Sequence, residues 1–111
     1  MHEEIRMPIF VVTATHSADQ CPLSNSKTRK IFKTNMTERP KAAQKAGVKF
    51  LVGPLFSLNH KTIAVIEAPK VESVMDTLME LHIAQWNSVE VQPYLMAEEA
   101  NKIMDTQEAL Y

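Results

Sequence analysis

His16, Cys21, His60 and His82 are the side chains of this chain best suited to chemistry near neutral pH. Imidazole offers a nitrogen donor that gains and loses its proton in that range, and a thiolate offers soft sulfur. Two or three neutral imidazoles with one thiolate make a tetrahedral set, or three ligands plus water, for zinc, and the sulfur also admits copper or iron. His16 and Cys21 are separated by four residues, so a strand end and the loop after it can supply both. His60 and His82 join them only if the fold returns twice to the same end. The spacing matches no zinc finger.

The same residues support a second chemistry. Cys21 would be a reactive thiol with His16 as its base, the two catalytic residues, because Pro22 and a Ser/Asn-rich helix start follow closely and backbone amides favour the thiolate. Each residue also has an ordinary structural role. His16 and His82 would be partly buried and bonded to backbone carbonyls, His60 an exposed turn residue and Cys21 a small buried hydrophobe.

The elements that must position these groups follow from periodicity. From Pro8 to His16 both alternating sets, Ile9/Val11/Thr13 and Phe10/Val12/Ala14, are largely apolar, which predicts a strand covered on both faces. Ser24, Asn25 or Ser26 caps a helix carrying Ile31, Phe32, Met36, Ala43 and Ala46, which Pro40 should kink or restart and Gly47 should stop. Val48 to Leu55 reads as an edge strand interrupted at Gly53-Pro54, then a turn through His60, then a buried strand from Thr62 to Glu67. A second helix begins at Pro69, with Val71, Val74, Met75, Leu78, Leu81, His82 and Gln85 on one inward face. Val89 to Leu95 is the last strand, and Ala97 to Leu110 a short polar helix.

The order βαββαβ followed by α predicts an α+β, ferredoxin-like fold, an antiparallel sheet of order 4-1-3-2 with two helices on one face. Residues 1–7 would be a flexible extension, 8–95 the domain and 96–111 a helical tail. In that topology the end of the first strand, the following loop and the central hairpin share one edge. The second helix climbs back to it, carrying His82 and bringing Trp86 nearby. His2 plays no part.

Two helices cover one face of such a sheet, and apolar residues on the other call for a second copy. In this the chain resembles the dimeric α+β-barrel superfamily over residues 8–95. The run Thr13-Ala14-Thr15-His16 with Cys21-Pro22, the Asn59-His60-Lys61-Thr62 hairpin and the Glu98-Glu99 pair are similar to small prokaryotic members within it. That resemblance implies a homodimer, or a higher oligomer of dimers, with an interior cavity for a small molecule. It also implies a further function class, a cavity histidine shuttling protons in cofactor-independent oxygenation or isomerisation, or ligating haem, beside that of a non-catalytic dimer that binds a small ligand.

Composition narrows the partners. With 12 basic and 13 acidic residues in 111 and no aromatic-studded basic stripe, a nucleic-acid surface is not expected. Two glycines exclude Walker and dinucleotide loops, and apolar runs are too short for a membrane span. One cysteine forms no internal disulfide and no signal peptide is visible, so a cytoplasmic location is expected. Met36, Met75 and Met79 read as core or dimer packing, and Ile103, Met104 and Leu110 as an apolar edge that could reach a second subunit. Lys27, Arg29, Lys30 and Lys33 read as a solvated helix face or as attraction for an anion at the helix's positive end.

Overall fold

The computed structural model describes residues 7–111. Residues 1–6, including His2 and most of the expected extension, lie outside the described residues. The elements run β1 (Ile9–Thr15), α1 (Ser26–Ala46), β2 (Lys49–Ser57), β3 (Lys61–Glu67), α2 (Val71–Glu80), β4 (Ser88–Tyr94) and α3 (Ala97–Thr106). The four strands form one antiparallel sheet of order β2-β3-β1-β4, the expected 4-1-3-2 order read from its other edge. The architecture is α+β and compatible with the ferredoxin-like arrangement.

Alternation along the strands decides which face is covered. Phe10, Val12 and Ala14 of β1 are buried, and β3 places Ile66 opposite Phe10 and Ala64 opposite Val12. Val74 and Leu78 of α2 and Ala43 and Ala46 of α1 pack on this face, so both helices lie on one side. Ile66 is fully buried; removing such a side chain from water contributes about 2–3 kcal/mol. The opposite face keeps Ile9, Val11 and Val65 half-buried and leaves Ile63, Val52, Leu55 and Tyr94 exposed. The apolar pattern on both faces of β1 is therefore present, with a protein layer on one.

Helix α1 starts where expected: the Asn25 side chain accepts from the Lys27 and Thr28 amides at 2.9 and 3.1 Å. It ends at Gly47, whose φ of 71° is the left-handed C-cap. The expected restart at Pro40 does not occur. Pro40 and Met36 are both exposed, so the carbonyl deprived of its helical partner can face water and the helix runs through.

Helix α2 departs further from expectation. Lys70 is its N-cap, which puts Pro69 ahead of the helix, and it stops at Glu80. Met75 and Met79 are exposed, while Ser73 and Thr77 are buried in their stead, the Thr77 hydroxyl donating to the Ser73 carbonyl at 2.9 Å. A threonine satisfied within its own helix packs much as valine does. Met36 is exposed too, so none of these three methionines belongs to the core of the single chain.

Strand β2 is an edge whose register against β3 shifts between Phe50 and Leu55, around Gly53 at φ 83°. Helix α3 ends at Thr106, short of Leu110, and buries none of its residues. The Cα radius of gyration is 16.7 Å, against about 13 Å for a compact domain of about 100 residues.

Candidate metal centre

Three of the four expected residues converge. The β1–β3 register ends with Thr15 opposite Lys61, and the next residues are joined by the His16 amide donating to the His60 carbonyl at 3.1 Å. His60 closes the hairpin turn at φ 65°, a left-handed conformation that is uncommon for a side chain larger than glycine. The imidazole centroids lie 5.2 Å apart, edge to face.

Cys21 reaches the pair from a pinned loop. A 3-10 turn, Ala18–Gln20, leads into it. The Cys21 carbonyl accepts from the Ser24 and Asn25 amides at 2.9 and 2.8 Å. From α1 the Arg29 guanidinium donates back to the Pro22 and Leu23 carbonyls at 2.8 and 2.6 Å. A loop held at both ends fixes its thiol, which is only 7 % exposed. One ligand atom from each of His16, Cys21 and His60 lies within 4.8 Å of the others.

Tetrahedral zinc with bonds of about 2.0–2.1 Å to nitrogen and 2.3 Å to sulfur sets neighbouring donors about 3.3–3.6 Å apart. Closing the group from 4.8 Å takes a shift of roughly an ångström, within reach of side-chain rotation about χ1 and χ2. Three ligands leave a fourth position for water or an exogenous donor.

The tautomer of His16 suits this role. Its Nδ1 lies 3.2 Å from Asn87 Oδ1, and Asn87 Nδ2 donates to the Ile83 carbonyl at 3.1 Å, which orients the amide. An amide oxygen only accepts, so Nδ1 is the donor in this contact, and in the neutral ring Nε2 then keeps its lone pair. That Nε2 is buried with no hydrogen-bond partner among the described residues, as is Trp86 Nε1. An orphaned imidazole nitrogen beside a second imidazole and a thiol could hold a metal ion. The indole of Trp86 covers it, ring centroids 5.1 Å apart.

Asn87 escaped the sequence reading, because nothing in its spacing links it to His16. Replacing it by leucine should weaken zinc binding by about 10–100-fold, the usual effect of losing an orienting partner. Competition against a chromophoric chelator measures this, and an unchanged affinity would show that Asn87 does not orient His16.

His82 does not join the group. Helix α2 ends before it, its own φ of 59° is left-handed, and its exposed ring meets Gln85 Nε2 at 3.1 Å. The helical phase that should have turned it inward is broken two residues too early.

A cavity of about 290 Å³ between α1 and the sheet is lined by Val12, Phe50 and Ala64 among others, and by no histidine. The Phe32–Phe56 pair, centroids 5.1 Å apart, lines both this cavity and the pocket beside His16, Cys21 and His60. No helix among the described residues is long and apolar enough to cross a membrane. Compared with known proteins, the chain matches no protein-family model and no curated protein.

Proposed function

We propose that this is a small homodimeric protein of the ferredoxin-like α+β-barrel type that binds a zinc-class transition ion through His16, Cys21 and His60, with the fourth position open to a small ligand. The observation that carries the reading is the buried, unpartnered Nε2 of His16 within a group whose donors lie within 4.8 Å. A set of two imidazoles and one thiolate suits zinc and also accepts copper. The burial of Cys21 favours a ligand over a free nucleophile, which must reach its substrate.

Elemental analysis of protein purified under reducing conditions, without chelator, tests this. The expected result is close to one equivalent of zinc or copper in wild type and in His82→Ala, and little in His16→Ala, Cys21→Ser or His60→Ala. Metal-free wild type that also takes up none of either ion on addition would sink the reading.

The dimer is supported by the uncovered sheet face and by α3. Val52, Leu55, Ile63 and Tyr94 are each more than two-fifths exposed beside half-buried Val11 and Val65. The apolar patch of β1, β2 and β3 on this face, with Glu67, Glu90 and Gln92 around it, suits an interaction site, and a second copy offers it a matching surface together with a seat for α3. Sedimentation equilibrium should give twice the 12.6 kDa chain mass, and Val65→Glu should shift the protein to monomer, because a charge buried without a partner is strongly unfavourable. A monomeric wild type at micromolar concentration contradicts the dimer and leaves the metal group untouched.

A further inference from the structure

A pocket of about 520 Å³ opens beside the metal group and includes His16, Cys21 and His60 in its wall. Its charged lining residues, apart from the histidines, are Arg29, Lys33 and Lys61, with no aspartate or glutamate. The chain as a whole carries a net charge of -1, so three cations without a carboxylate are a local concentration of charge. None of the three is ion-paired among the described residues. Arg29 is committed to the Cys21 loop through its two carbonyl bonds, whereas the Lys33 and Lys61 side chains are exposed and make no hydrogen bond among the described residues.

The rest of the wall is apolar and open to solvent. Leu23 is 79 % exposed and Leu58 97 %, and Met36 and Phe56 line the same pocket, each more than half exposed. Large apolar side chains held in water beside unpaired cations suit an amphiphile, with an acidic head and an apolar body. Trp86 lines the pocket as well and carries a buried N–H without an acceptor. The metal points to the same sign of ligand: a divalent ion with one thiolate and two neutral imidazoles keeps a net positive charge, which favours an anionic fourth donor.

We infer that this pocket binds a small organic carboxylate with an apolar tail. Its head takes the metal's open position, attracted by Lys33 and Lys61, and its tail lies along Leu23, Met36 and Leu58. This inference rests on the metal reading above and specifies the ligand class of that site.

Cobalt(II)-loaded full-length protein separates the two ideas, with octanoate as the probe. Cobalt should first give the intense near-ultraviolet band of a thiolate ligand. Its absence sinks the metal reading and the head position with it. With the band present, octanoate should shift the visible cobalt spectrum and saturate, and 1-octanol should not. Acetate should bind at least about tenfold more weakly for want of a tail. Lys33→Gln with Lys61→Gln should weaken octanoate about tenfold and leave cobalt affinity within about threefold, since each exposed charge contributes on the order of 1 kcal/mol or less. A normal cobalt spectrum that ignores octanoate, equal binding of 1-octanol, or unchanged octanoate affinity in the double variant overturns the carboxylate proposal alone.

Discussion

Cys21→Ser should lower zinc affinity by at least about a hundredfold and abolish the thermal stabilisation that zinc gives the wild type. Structural zinc sites release about 10–16 kcal/mol over four ligands, so loss of one thiolate forfeits roughly 3 kcal/mol, which is about a hundredfold. Serine is nearly isosteric and binds zinc poorly at neutral pH, so packing around residue 21 is largely kept. Metal at a hundred times its Kd stabilises the native state by about 2.7 kcal/mol, a rise in Tm of roughly 10 °C for a domain of this size. His16→Ala should lose the metal too, but it also removes a ring packed at a tilt against Trp86, so its apo stability falls as well. The comparison that matters is the zinc-induced shift within each variant, measured by thermal scanning with and without metal. Equal shifts in wild type and Cys21→Ser would remove the thiol from the site.

Gly53→Ala should destabilise the fold by about 3–5 kcal/mol, the largest effect expected of a single added methyl group, because backbone strain and overlap each contribute about 1–3 kcal/mol. A Cβ at Gly53 would stand 2.8 Å from both the Ile63 carbonyl oxygen and the Leu55 nitrogen, and these are backbone atoms that cannot swing away. The residue also sits at φ 83°, where side chains are strained. Gly47→Ala is the control. Its φ is 71°, but nothing lies within 4 Å of the added Cβ, so only the strain remains, about 1 kcal/mol. Denaturant unfolding of the pair should therefore separate them by at least about 2 kcal/mol, a large share of the 5–15 kcal/mol that holds a domain together. Similar losses in both variants would mean that β2 can move away from β3 at Gly53. The consequence reaches the site, because β2 and β3 carry the turn that presents His60.

The fold was legible where pattern and local chemistry agreed. Two apolar sets on β1, the Asn25 cap and the Gly47 stop carry their own physical signals, and antiparallel pairing of β1 with β3 then brings His16 beside His60. Cys21 followed because only four residues separate it from His16. The rest depended on competition that periodicity does not register. Leu78, Leu81, His82 and Gln85 keep helical spacing, yet the chain leaves the helix at Leu81 and turns left-handed at His82 with no glycine to announce it. Thr77 is buried while Met75 is exposed because a hydroxyl bonded within its own helix loses its polarity to the core. Asn87 contributes through the direction of an amide, which depends on Ile83 and His16 being placed first.

X-ray absorption at the zinc K-edge of the zinc-loaded full-length protein reads donor identity at the metal itself. One sulfur at about 2.3 Å and three nitrogen or oxygen donors at about 2.0–2.1 Å are expected, with the multiple scattering of two imidazoles. A shell with no sulfur, or one of oxygen alone, would contradict the proposed centre.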